Sequence, residues 1–99
     1  MENNIIELKR KFNKLEKERK SLYWLIDNLD DDFYSVRVEL RKKFSQLKLI
    51  FLKYKKNKDN LTNEILEQLE KNLNKFRDYI EKRIEQEKEK MENLQWHIF

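Results

Sequence analysis

The chain has 99 residues, 42 % of them charged, with a net charge of +4 and no glycine, proline or cysteine. That length makes one domain, residues 1–99, and gives the tight turns of β-rich folds and glycine-rich phosphate loops no residues to build them. Disulfides, thiolate metal sites and a cysteine nucleophile are excluded outright.

Taken from the N-terminus, the apolar pattern is helical almost throughout. Ile5, Leu8, Phe12, Leu15, Leu22 and Ile26 lie on an alternating three–four spacing, with Arg19 as the one interruption. The same phase runs on through Leu29, Phe33, Val36, Leu40, Leu47, Ile50 and Tyr54, interrupted only by Lys43. This is the a/d stripe of a heptad repeat, and such a seam requires another helix to cover it. A second stripe follows through Leu66, Leu69, Leu73, Phe76, Ile80, Ile84, Met91, Leu94 and Ile98. High charge is a signature of disorder, but this periodicity, with 38 % hydrophobic and 12 % aromatic residues, points to packed helices.

Two segments are able to turn. Asp27, Asn28, Asp30, Asp31 and Asp32 gather poor helix formers that make good N-caps, and Asn57, Asp59 and Asn60 do the same before the second stripe. Each contains Asn-x-Asp, which suits a left-handed C′ residue followed by an N-cap. The predicted helices are then 4–28, 31–56 and 60–97. Heptad phase survives the Asp cluster unbroken, whereas continuing it past Asn57 would place Glu64 and Gln68 on the seam. The second segment is therefore the firmer turn. The expected fold class is all-α, as a long antiparallel helical hairpin with a coiled-coil seam; the alternative is a three-helix bundle.

Little of this pattern carries chemistry. Asp27 and Asp31 share a helical face, but no glycine-containing loop is present to wrap a cation, and capping accounts for them. His97 is the only histidine and has no carboxylate three or four residues before it to complete a metal-ligand pattern. The hydroxyls of Ser21, Ser45 and Thr62 lie in no nucleophile context. Most Glu and Lys residues, such as Glu7 with Lys11 and Glu16 with Lys20, follow the i,i+4 spacing of helix pairs. No catalytic residue, metal or cofactor is expected, and the chain reads as a non-enzyme.

Interaction surfaces are more promising. The run from Leu22 to Ile26 is apolar on every side of a helical turn, and so is that from Leu47 to Leu52 apart from Lys48. A helix apolar all round is covered on more than one face. Leu22, Trp24, Leu25, Leu47, Leu49 and Phe51 are thus the candidate partner-binding residues, with Trp24 and Phe51 as anchors. Residues 37–58 carry nine lysines and arginines against one acid, a net +8, while residues 61–99 carry a net −2. Arg37, Arg41, Lys48 and Lys55 form a stripe that could contact an anionic partner, nucleic acid included. The same stripe could zip against Glu64, Glu67, Glu70 and Glu85 within the chain. No helix-turn-helix, zinc or basic-zipper signature supports nucleic-acid binding.

Asp32-Phe33-Tyr34-x-x-Arg37, and later Phe76-x-x-Tyr79-Ile80-Glu81 with Glu87-x-x-x-Met91-Glu92, give the chain a local likeness. It resembles the small helical proteins of type VII secretion systems, namely the WXG100 family and the helical partners of LXG-type effectors. It departs from them in having no Trp-x-Gly, and in carrying Ile80 where a Phe-x-x-x-Asp signature from Phe76 needs an acid. The resemblance implies a helical hairpin lying alongside the helical N-terminal region of a larger secreted protein, stabilising it for export. The resulting expectation is an adaptor or chaperone-like module whose partner is another helical chain or a second copy of itself. The runner-up is a small phage- or host-encoded inhibitor, or a nucleic-acid-associated protein, acting through residues 37–58. No apolar run is long enough to span a membrane. The opening residues Met1-Glu2-Asn3-Asn4 lack the basic-then-apolar pattern of a secretory signal. A cytoplasmic location is expected, with any export by a signal-peptide-independent route.

Overall fold

In the computed structural model the backbone is described for residues 2–98 and side chains for residues 4–93. The chain is all-α: α1 (Glu2–Asp27), α2 (Tyr34–Lys56) and α3 (Asn63–Ile98), with no strand among the described residues. It turns at both candidate segments, so the three-helix bundle is the arrangement that forms. Each helix packs on the other two. The bundle is a rod of 67 × 17 × 16 Å, because α3 at 36 residues outruns the 23 residues of α2 at one end, while at the other α1 meets the second turn at Lys9 and Asn13 and so begins beyond it. No described helix is long and apolar enough to cross a membrane.

Both turns are built without glycine and without any left-handed residue. Asn28 ends α1 by donating its side-chain Nδ2 to the Trp24 carbonyl at 2.8 Å, while its own N–H reaches the same oxygen at 3.0 Å. Asp30 then accepts from the Asp31 N–H at 2.8 Å and opens a 3₁₀ turn, Asp31–Phe33, that leads into α2. The expected left-handed Asn is absent; instead the Asn28 side-chain amide adds a second hydrogen bond to the Trp24 carbonyl that its own N–H already reaches. The second turn contains the 3₁₀ segment Lys58–Asn60. Thr62 caps α3 by accepting from the Ile65 N–H at 3.1 Å, so α3 begins three residues later than the spacing predicts.

The core follows the stripes, with one drift. In α1 the seam positions Phe12, Leu15, Leu22 and Ile26 are buried, and in α3 so are Leu66, Leu69, Leu73 and Ile80. In α2 the buried set is Val36, Leu40, Phe44, Leu47 and Phe51, which leaves the seam positions Lys43 and Ile50 exposed. A straight helix turns 3.6 residues and drifts off a 3.5-residue repeat, and α2 must face two neighbours at once. Phe44 thus becomes a hub, with ring centroids 5.2 Å from Tyr23 on α1 and 5.1 Å from Phe76 on α3. Leu94, Trp96, His97 and Ile98 carry side chains outside the described residues, so the end of the second stripe and the lone histidine lie there.

Arg19, the charged interruption of the first seam, stays on that seam and is 5 % exposed. It forms a two-point ion pair with Glu16, Nε to Oε2 at 3.1 Å and Nη2 to Oε1 at 2.6 Å. Its guanidinium lies 5.9 Å from the centroids of both Phe44 and Phe51. Breaking a buried pair by removing one partner strands the other charge. Arg19→Met should therefore cost about 3–5 kcal/mol in urea unfolding. Glu16→Gln added to Arg19→Met should recover most of that loss, whereas a double variant as unstable as the single one would contradict a stranded-charge origin.

Candidate interaction surface

The six candidate partner-binding residues divide cleanly. Leu22 and Leu47 are buried, and Phe51, 1 % exposed, packs on Phe12 with centroids 5.9 Å apart. These three are core residues of the bundle, since the drift of α2 turns Phe51 inward, and Phe51 is no anchor for a partner. Trp24 and Leu49 are both 66 % exposed and Leu25 is 41 % exposed. Trp24 and Leu25 come together with Leu22, Lys20 and Arg77 in an open groove between α1 and α3. Leu49 lies outside it, on the outer face of α2.

Tyr23, Trp24 and Leu25 are consecutive, so they sweep around the crest of α1 from the α2 side to the α3 side. Tyr23 leans on Phe44 beneath it and carries the Lys48 ammonium 5.6 Å above its ring. Leu25 borders the groove toward Arg77 of α3, and Trp24 stands between them. The crest is the last full turn of α1, and the Trp24 carbonyl that Asn28 caps belongs to it. A rigid, capped turn thus presents an aromatic side chain to solvent.

The residues assigned to an anionic partner also divide. Arg37 donates through Nη2 to the Leu29 carbonyl at 2.8 Å and to Asp31 at 3.2 Å, with its Nε buried and unpartnered. Arg41 holds Asp27 through Nη2 at 2.6 Å and Nε at 2.9 Å. Both arginines therefore tie down the first turn, which explains the Asp cluster as well. Lys48 and Lys55 are exposed. The expected zipper with Glu64, Glu67, Glu70 and Glu85 is not made among the described residues. The link between α2 and α3 has the opposite polarity, with Arg83 donating to Glu39 at 2.8 Å and Tyr79 to its other oxygen at 3.3 Å. Lys43, the second interruption of the seam, lies 3.9 Å above the Tyr79 ring beside this pair.

The geometry defines the class of molecule: an all-α three-helix bundle that exposes apolar side chains on the α1 crest at Tyr23, Trp24 and Leu25, and also at Ile5, Ile6 and Tyr34 and on α2 at Leu49, Ile50 and Leu52. Comparison with family models, with curated protein sequences and with solved structures finds no match for this chain.

Arg83's hydrogen bond, and then its charge, hold the Glu39 carboxyl below the usual glutamate range, and the same bond raises Arg83. A carboxylate with a lowered pKa contributes stability above its unfolded-state value and loses it as pH falls through the folded-state value. Glu39→Gln should therefore lower stability at pH 7 by no more than about 1 kcal/mol, as befits a half-exposed pair. The difference from the parent should narrow between pH 7 and the acid end of the folded range, as pH falls through the lowered folded-state value. An equal deficit at both ends of that range in chemical unfolding would show that the Glu39 charge contributes nothing.

Proposed function

We propose that this protein is a non-catalytic helical interaction module that docks a helix of a larger partner against the α1 crest. The observation that carries the reading is Trp24, the most exposed residue of a three-residue apolar patch bordering an open groove that Leu49, Ile50 and Leu52, exposed on α2, do not line. A tryptophan left in solvent stabilises nothing in the monomer, whereas at an interface it supplies large buried area and often dominates the binding energy. The adjoining groove, floored by Leu22 and flanked by Leu25, offers the concave apolar strip that an amphipathic helix fills. The likeness to the helical partners of type VII secretion supports a finer version, an adaptor or chaperone that holds a helical secreted protein ready for export. The alternative, an inhibitor or nucleic-acid-associated protein acting through residues 37–58, keeps Lys48 and Lys55 free but has Arg37 and Arg41 occupied within the fold.

The test compares tagged wild-type and Trp24→Ala proteins expressed in the source organism, purified from nuclease-treated lysate and analysed by mass spectrometry. A stoichiometric helical protein should accompany the wild type and be lost from Trp24→Ala, a hot-spot loss of about 2 kcal/mol or more. Trp24→Ala should melt within about 0.5 kcal/mol of wild type, as an exposed position does. Phe51→Ala, by contrast, should lose about 3–5 kcal/mol of stability. Unfolding of Trp24→Ala would make Trp24 a core residue, and co-purification of nucleic acid in place of protein would overturn the reading.

A further inference from the structure

The crest carries a second pattern besides its apolarity, which is the sign of the charge around it. Lys17 and Lys20 lie seven and four residues before Trp24, on its own face of α1, and both are exposed. Lys48 covers Tyr23 on one side, and Arg77 lines the groove below Leu25 on the other. The two α1 carboxylates flanking the crest in sequence, Glu18 and Asp27, are each held by an arginine. Glu18 meets Arg77 at 3.9 Å, and Asp27 meets Arg41 at 2.6 Å. The local surface is thus an apolar centre with the exposed lysines Lys17, Lys20 and Lys48 beside it, while Arg77 is engaged by Glu18.

From this we infer that the docked helix is acidic: an amphipathic helix with an aliphatic or aromatic seam flanked by glutamate or aspartate. The inference rests on the docking reading and adds the chemistry of the partner. The seam would cover Trp24 and Leu25, and the flanking carboxylates would meet Lys17, Lys20 and Lys48. Charge of one sign on the rim attracts an acidic helix from a distance and rejects a basic one. A single-stranded nucleic acid would need free aromatic faces for stacking. Here Tyr23 already packs on Phe44 and lies under the Lys48 ammonium, which leaves Trp24 as the most open ring of the crest, and Leu25 would find no partner in a chain of bases.

The experiment uses the full chain with Trp96→Phe, so that Trp24 is the sole tryptophan reporter. Three probes are titrated: two 21-residue amphipathic peptides with the same leucine seam, one flanked by Glu and one by Lys, and a 20-mer of thymidylate. The Glu peptide should shift Trp24 emission to the blue and bind at least about tenfold tighter than the Lys peptide. Its affinity should fall about tenfold between 50 and 500 mM salt, as expected of screened rim charges. Lys17→Glu with Lys20→Glu should reverse the preference between the peptides while leaving the melting curve in place. Equal binding of both peptides would overturn the acidic partner and leave docking standing. Failure of both peptides would overturn docking along with it. A thymidylate titration that moves Trp24 emission when neither peptide does would assign the crest to nucleic acid.

Discussion

The Arg19–Glu16 pair is the constraint around which the bundle is arranged. A guanidinium inside an apolar interior is costly unless every strong donor finds an acceptor and its flat faces find polarisable neighbours. Glu16, one turn earlier on the same helix, gives the two-point acceptor, so the charge is neutralised before any tertiary contact forms. What α2 must then supply is aromatic surface, and it does so with Phe44 and Phe51, each with its ring centroid 5.9 Å from the guanidinium. Those two contacts fix both the axial register and the rotation of α2. A rotation of α2 by one residue would bring Lys43 and Ile50 to the seam and place a second cation against the first. The heptad phase allows that rotation, and the charge on Arg19 forbids it.

The rest of the architecture follows from the rotation. With Phe44 inward, its ring bridges Tyr23 and Phe76 and closes the contact of all three helices. With Lys43 outward, its ammonium settles over Tyr79 and the neighbouring Glu39 meets Arg83, so the interruption of the stripe becomes a link to α3. The arginines at the start of α2 serve the turn by a similar economy. In the absence of glycine the reversal after α1 uses side chains where other proteins use backbone freedom: Asn28 for the last carbonyl, Asp30 for the first amide, Arg37 and Arg41 for the Leu29 carbonyl and the surrounding carboxylates. Part of the strong basic bias of residues 37–58 is thus a structural requirement of this turn.

The sequence was legible where a residue's environment depends on its own helix, and obscure where it depends on a neighbour. The stripes of α1 and α3, the all-α class and the two turning segments are local properties, and they appear as periodicity and capping residues. That the first turn reverses the chain could not be read, because Ile26, Leu29, Phe33 and Val36 keep heptad spacing across a true reversal. Phe44 was missed as core, and Phe51 was placed on the outside, for one common reason: each lies one residue off the ideal repeat, and only the packing on Arg19 rotates them in. Signal for this was present in Arg19 itself, since a charge on a seam demands either exposure or a built pocket of aromatic residues. Trp24 and Leu25 were legible as surplus apolar surface, but their separation from Leu49 was not, because that is a matter of which way α2 faces.

The crest is set apart from ordinary surface apolarity by the rigidity of what carries it. Exposed aliphatic side chains are common on soluble proteins, and Leu49, Ile50 and Leu52 form such a patch on α2. Trp24 differs because the turn beneath it is capped by Asn28, braced by the Asp27–Arg41 pair, and supported at Tyr23 by the same Phe44 that closes the core. A side chain held by so much local order loses little further freedom when a partner covers it, and pre-organisation of this kind is what converts exposed area into affinity. The interior charge on Arg19 rotates α2, the rotated α2 brings Phe44 beneath Tyr23, and Tyr23 anchors the crest. The surface proposed for a partner is in this sense an outward consequence of how the bundle accommodates its one buried arginine.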